Sequence, residues 1–339
     1  MSKSEALLSP QAAMRKSYSR CGWATLAVVL FSTLTTLSLQ LIANAFQEGA
    51  VLNESPYFLL FNEAIIGISI LVGLLVLQGT KAEAPERRRM PFAFYFGIFS
   101  VCVAVSVLGN AVGILWTAPL DLALGNGPSN QLSQLLSGQQ AWQLILCVGI
   151  LAPVFEEFFF RKLLIDRLRP HGEFLAILSS GFLFGLFHQN IGQYFYTFGV
   201  GILLAYLYLR TGSYLAVTLM HAAFNLLLGV LPTLVLAKTE EFFRLMENGI
   251  TEELLEALPA LLATYALPLL GYGLQLLLVG ILTPTGILIF AFFAKKAKVA
   301  PPPATLSVWD MGTNAYINGG MLTSVILLLI ATASSLLFR

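Results

Sequence analysis

The stretch AWQLILCVGILAPVFEEFFFRKLL, residues 141–164, places two adjacent acids, Glu156 and Glu157, at the end of an apolar run. Such a run is long enough to cross a bilayer as a helix, because roughly 20 residues cover roughly 30 Å of hydrocarbon. The whole chain shares this character: 57% of its 339 residues are hydrophobic and 11% are charged, with a mean hydropathy of +0.79. Soluble domains carry about 25% charged residues. The composition therefore predicts a membrane protein.

Similar apolar runs recur along the chain and predict an all-α fold, a polytopic transmembrane bundle of about nine helices. The predicted spans are Trp23–Phe46, Tyr57–Leu77, Pro91–Thr117, Ala141–Phe160, Phe174–Gln189, Tyr194–Leu209, Tyr214–Leu236, Tyr265–Ala294 and Ile317–Phe338. The first is longer than the core of a cleaved signal peptide, so we expect a retained helix. The run Tyr265–Ala294 contains two prolines and is either one kinked helix or a shorter helix with an interfacial extension.

Lys and Arg gather in every second connection between the predicted spans, beginning with the N-terminus. The intervening connections Gln47–Pro56 and Pro119–Gln140 contain neither residue. Since Lys and Arg are retained on the cytoplasmic side of a membrane, we predict a cytoplasmic N-terminus. The compact loops, without an organellar targeting segment, favour a multi-pass protein of a bacterial cell membrane.

Charge and cysteine usage exclude other classes of protein. The net charge of +1 is too small to suggest a nucleic-acid partner, and the three cysteines lack the paired spacing of a disulfide framework or a metal site. We divide the chain into N-terminal transmembrane helices (1–140), a catalytic core (141–236) and a C-terminal part (237–339). The last combines an acidic amphipathic outer loop, Lys238–Leu262, with C-terminal transmembrane helices.

The acids of the opening stretch allow two interpretations. Arg161 and Lys162 follow a few residues later, so these groups could form a charge cluster at the inner interface. Alternatively they mark a functional site, because an ionisable residue within a span costs a few kcal/mol and usually faces a bundle interior or a wet cavity. The histidines favour the second interpretation: two of the three, His188 and His221, lie in or at the ends of later apolar runs.

These side chains suit amide hydrolysis. A carboxylate takes a proton from water, and a neutral imidazole shares that work or binds the oxyanion. Asn225 lies four residues after His221, on the same helical face, and could donate its amide N–H to the developing negative charge. Arg161 at i+4 neutralises Glu157 as an orienting group, which assigns the chemistry to Glu156.

Three ordered motifs carry a family resemblance. EExxxR (Glu156, Glu157, Arg161), FxxxH (Phe184, His188) and HxxxN (His221, Asn225) fall on successive apolar runs. Over residues 141–232 the chain resembles the CPBP intramembrane proteases, also called the type II CAAX endopeptidase or Abi family. The resemblance implies an intramembrane endopeptidase that cleaves a membrane-associated or lipidated peptide with glutamate-activated water. It implies Glu156, His188, His221 and Asn225 as catalytic residues and Glu157, Arg161 and Phe184 as supporting residues.

The same resemblance leaves metal use open. Glu156, His188 and His221 would make a zinc site of the His₂Glu type, and the family has been associated with metalloendopeptidase activity. The sequence contains no H-E-x-x-H helix. We therefore expect a metal-free site without a cofactor, and keep zinc as the alternative.

Two other function classes fit the composition. A proton-coupled transporter would also place Glu, Arg and His in a membrane, and predicts a glutamate replaceable by Asp. A non-catalytic bacteriocin-immunity or peptide-binding protein would retain its phenotype after Glu156→Gln. For an intramembrane endopeptidase, the expected partners are the lipid bilayer and a membrane-anchored or hydrophobic peptide.

Depth arguments give three further expectations. Glu63, near the outer end of its predicted span, is interpreted as structural. The acids lie near the basic end of their helix, which predicts a cavity open mainly toward the cytoplasm. His188, however, lies roughly 21 Å along a helix from Phe174, so that helix must begin below the interface, tilt strongly or break.

Overall fold

The computed structural model describes residues 9–46, 57–123, 139–236, 239, 242, 252–301 and 306–334. These residues form ten helices and no strand, so the predicted all-α bundle is confirmed. In chain order the helices are α1 (Pro10–Phe46), α2 (Phe58–Val76), α3 (Phe92–Ala123), α4 (Ala141–His171), α5 (Glu173–Phe187), α6 (Ile191–Thr211), α7 (Tyr214–Leu236), α8 (Glu252–Phe293), α9 (Val308–Tyr316) and α10 (Gly319–Ser334).

The predicted count of nine spans is not confirmed. In the described part of the chain six helices, α1, α2, α3, α4, α7 and α8, are long and apolar enough to cross a membrane. The pair α9 and α10, bent by 64° between them, makes a seventh if counted as one span. The difference lies mainly in α5 and α6, which replace two predicted spans.

Helix α5 is unbroken up to His188, so the expected depth of this histidine stays a prediction. It has 15 residues and ends at Phe187, so it rises only about 22 Å. Gln189 then adopts a positive φ of 48°, and the side chain of Asn190 caps α6 by accepting a hydrogen bond from Gln193 N. The chain therefore reverses direction at the histidine instead of continuing across the bilayer.

Helices α5 and α6 pack closely because small residues face each other. A Cβ added at Gly201 on α6 would lie 3.0 Å from the Cα of Gly181 on α5. Two apolar cores flank this hairpin, one with α1, α2, α9 and α10, the other with α3 and α7. Helices α4 and α5 contribute side chains to both cores and so occupy the centre of the bundle.

Helix α4 contains two π-helical stretches, Leu144–Leu151 and Phe158–Ile165, on either side of the α-helical turns Ala152–Glu157. The acids Glu156 and Glu157 end that α-helical segment. π-Helical geometry is rare and is found frequently at functional sites. It changes the backbone hydrogen-bonding pattern, and side-chain amides bond to carbonyls there. Asn225 Nδ2 donates to Val148 O in the first stretch, and Gln275 Nε2 donates to Leu227 O in a third π-helical stretch, Leu226–Val230 of α7.

The C-terminal part differs in detail from the predicted elements. The predicted span Tyr265–Ala294 lies within α8 except for its last residue, and α8 is one helix of 42 residues that contains three prolines. The first turns of α8 include part of the predicted amphipathic segment Lys238–Leu262, of which 238, 240–241 and 243–251 lie outside the described residues. The connection Gln47–Pro56, most of Pro119–Gln140 and the end of the last predicted span also lie outside them. The three-part division of the chain stays a prediction.

Candidate active site

The centre of the site is a buried ion pair one helical turn apart on α4. Arg161 Nε donates to Glu157 Oε2 at 2.7 Å, and both side chains are fully buried. Arg161 Nη1 also donates to Ser180 Oγ on α5 at 2.6 Å, and Ser180 Oγ donates to Phe160 O. The predicted i+4 pairing of this acid and cation is therefore present, and it connects α4 to α5.

His221, on α7, lies between the two acids. Its Nδ1 is 2.8 Å from Glu157 Oε1. Because an ionised carboxylate only accepts hydrogen bonds, Nδ1 carries the donated proton, and the other nitrogen of a neutral ring, Nε2, is an acceptor. Nε2 lies 3.8 Å from Glu156 Oε2. That gap is too long for a direct hydrogen bond and short enough for one water to bridge the two atoms.

The two adjacent acids therefore have different environments. The Glu157 side chain is 0% exposed and is bonded to Arg161 and His221. The Glu156 side chain is 13% exposed, and its Oε2 lies 3.8 Å from His221 Nε2, beyond direct hydrogen-bond distance. Glu157 is held in place by its bonds, whereas Glu156 is the acid of the pair that a small molecule can reach.

Phe184 packs among the polar groups of the site. Its ring lies edge-on to those of His188 and His221, with centroids 4.9 Å and 5.8 Å away. The guanidinium carbon of Arg161 lies 5.4 Å from the same ring centroid, within the range of a cation–π contact. One buried aromatic side chain thus fixes the spacing of two imidazoles and a cation.

His188 follows Phe184 by one turn at the end of α5, and it is half-buried. Its Nδ1 is 2.8 Å from Phe184 O. A carbonyl only accepts, so Nδ1 is the donor, and the Nε2 of a neutral ring is an acceptor. Neutral His188 therefore offers the site a lone pair, and only its imidazolium form can donate from Nε2.

Asn225 lies one turn after His221 and faces α4, as the spacing predicts. Its Nδ2 donates to Val148 O at 2.9 Å, a carbonyl within the first π-helical stretch. A carboxamide nitrogen carries two protons, and this bond uses one of them. The second proton on Nδ2 is therefore the one left for the oxyanion role expected of Asn225.

Sequence reasoning missed two contributors to the site. Ser180 lies four residues before Phe184 and eight before His188, so helical periodicity along α5 marks it. The hydroxyl of Tyr214, seven residues before His221, donates to Val154 O at 2.6 Å and ties the start of α7 to the turns that carry the acids. Glu63 is buried on α2, and its interpretation as structural stays a prediction.

The zinc alternative can be compared with these groups. Each histidine donates Nδ1–H to an oxygen and keeps Nε2 as an acceptor, which is how metal-binding histidines are usually oriented. Among the described residues, however, no group of three His, Cys, Asp or Glu side chains is placed to hold an ion. Glu156, His188 and His221 therefore do not fit as a ligand set in this arrangement.

Comparison with known families agrees with the motifs. Residues 138–227 match the family described as type II CAAX prenyl endopeptidase Rce1-like. The similarity to this family covers the part of the chain that contains the candidate site. The matched range contains every catalytic and supporting residue that the resemblance implied, and the predicted recognition is confirmed. No curated protein and no solved structure matches the chain.

The CAAX-family core and the apolar helices together define the general class of the protein. The family is one of membrane proteases, and the chain has at least six helices able to span a bilayer. The protein is therefore a multi-pass membrane protein with a region similar to CAAX-type intramembrane proteases, and this similarity fits a membrane-associated peptide as substrate.

Proposed function

We propose that the protein is an intramembrane endopeptidase that hydrolyses a peptide bond of a membrane-associated or lipidated peptide, with Glu156 activating the water. One observation carries the proposal: His221 separates two adjacent acids, one locked to Arg161 and the other partly exposed. Environments that divide two carboxylates in this way are typical of a division into orienting and reacting groups.

The reaction then proceeds by two proton transfers at Glu156. The Glu156 carboxylate removes a proton from a water held between its Oε2 and His221 Nε2, and the resulting hydroxide attacks the carbonyl carbon of the peptide bond. The C–N bond breaks as protonated Glu156 returns that proton to the leaving nitrogen. General acid–base catalysis of this kind contributes typically about 10²–10⁴-fold to a rate.

The remaining side chains position the reactants. Glu157 accepts the Nδ1 proton of His221 and so keeps Nε2 available to the water. The second amide proton of Asn225 faces the developing oxyanion, while its first holds the π-helical stretch of α4. His188 keeps Nε2 as an acceptor and assists Glu156 by accepting a hydrogen bond from the attacking water.

The proposal includes an orientation in which the N-terminus is cytoplasmic and the site opens toward the cytoplasm of a bacterial cell. A Glu156→Cys variant tests it with a thiol reagent that does not cross membranes. The three native cysteines are buried and serve as a low background. We expect labelling in inside-out vesicles and not in intact cells. Labelling from the outer side alone would contradict the orientation.

Cleavage itself is tested with a library of lipidated and membrane-anchored peptides, incubated with the purified protein in detergent and read by mass spectrometry. We expect the wild-type protein to cleave at least one class of these peptides. His188→Ala should cleave the same peptides about 10²–10⁴ times more slowly. A metal chelator should leave the wild-type rate unchanged. Loss of the wild-type rate with chelator and its rescue by zinc would assign the histidines as ligands. Uptake driven by a pH gradient without any cleavage would favour the transporter.

A further inference from the structure

A groove of about 600 Å³ opens on α1 beside the end of α2, and it contains none of the candidate catalytic or supporting residues. Its lining includes Lys16, Arg20, Trp23, Leu26, Leu30 and Val76. All but Val76 come from one helix, so the groove follows the surface of α1 where α2 ends. The polarity of the lining residues changes along that surface.

The polarity of the groove follows the axis of α1. The cations Lys16 and Arg20 lie at one end, Trp23 follows, and Leu26 and Leu30 form the other end. From the first lysine to the last leucine the helix rises about 21 Å. This order matches a phospholipid in a bilayer, since cations contact its phosphate, tryptophan favours the interface, and leucine contacts the acyl chains.

Arg20 is held in place at the polar end. Its Nη1 donates to Val76 O at 2.9 Å, one of the last carbonyls of α2, which lack partners within that helix. A guanidinium has five N–H donors, and this bond uses one. Because this bond fixes the guanidinium of Arg20, the side chain loses less conformational freedom on binding a phosphate than a mobile side chain would.

We propose that this groove binds one anionic phospholipid, with its phosphate at Arg20 and Lys16 and an acyl chain along Leu26 and Leu30. The charge of the groove selects the anionic headgroup, and the exposed Trp23 and Leu30, 40% and 45% accessible, supply the apolar contact. Because the groove is separate from the candidate active site, this lipid is a bound component of the fold and not the substrate.

The test counts lipids bound to the full chain by native mass spectrometry, in detergent doped with phosphatidylglycerol or phosphatidylcholine. Arg15 supplies the matched control, because it is exposed on the same helix and does not line the groove. We expect one tightly bound phosphatidylglycerol. Arg20→Gln should weaken its binding about fivefold and Arg15→Gln less than about twofold, and Arg20→Lys should lie between the two because it keeps the charge and loses the fixed fork.

The Arg20→Lys variant keeps the charge while changing the bond to Val76. It therefore distinguishes a loss of lipid binding from a loss of local folding. Equal losses in Arg20→Gln and Arg15→Gln would overturn the proposal in favour of diffuse attraction by the basic segment. Equal retention of phosphatidylcholine would show that the groove does not select charge. Displacement of the lipid by the chain-free headgroup glycerophosphoglycerol at equal concentration would assign the site to a free phosphate ester instead.

Discussion

Replacing Arg161 with methionine is expected to lower the free energy of unfolding by about 3–5 kcal/mol. The substitution leaves Glu157 as a buried charge without its cation, in a position where its side chain is 0% exposed. It also removes the bond to Ser180 that joins α4 to α5. The measurement is denaturant titration of the purified protein in detergent, followed by far-ultraviolet circular dichroism.

A surface pair provides the control for this prediction. Arg88 and Glu86 are 3.0 Å apart with side chains 64% and 79% exposed, so Arg88→Met should change stability by less than about 1 kcal/mol. The double variant Glu157→Gln/Arg161→Met should recover part of the loss, because it removes both charges while Gln still accepts from His221. If Arg161→Met unfolds at the same denaturant concentration as Arg88→Met, the buried pair does not hold the site together.

Replacing Glu156 with glutamine should reduce peptide cleavage by about 10²–10⁴-fold and leave stability within about 0.5 kcal/mol. Glutamine keeps the shape of the side chain and removes its ability to take a proton from water. Glu156 makes no ion pair as close as that of Glu157, so the fold loses little.

Glu157→Gln is the matched variant, since it makes the same chemical change one residue away. It leaves Arg161 as an unpaired buried charge, and we expect a loss of stability that resembles Arg161→Met in size. We therefore expect Glu156→Gln to lower the cleavage rate with little change in stability, and Glu157→Gln to lower the stability. Equal effects of both variants on both readouts would contradict the assignment of different roles.

The spacing of residues along the sequence predicted those parts of the site that lie on one helix, or that face a single neighbouring helix. The i+4 relation of Glu157 and Arg161 predicted their ion pair, and the same relation of His221 and Asn225 predicted that both face a common helix. These features depend only on helical periodicity. The apolar runs likewise predicted the fold class, because hydropathy reports which solvent a segment prefers.

What the sequence did not reveal depends on contacts between helices. The run Phe174–Gln189 is apolar throughout, and hydropathy alone does not distinguish a span from a 15-residue helix that ends at a turn. The bond from Asn225 ends on Val148, which lies in a π-helical stretch of α4 that no residue type signals by itself. The bridging position of His221 was also hidden, since it places one ring between two acids that are 64 or more positions earlier.

Hydrolysis by glutamate-activated water is tested most directly by comparing wild type and Glu156→Gln on one cleaved peptide, with both proteins shown to unfold at the same denaturant concentration. We expect new peptide termini with wild type and a rate about 10²–10⁴-fold lower with Glu156→Gln. A folded Glu156→Gln protein that cleaves at the wild-type rate would contradict the central role of this carboxylate.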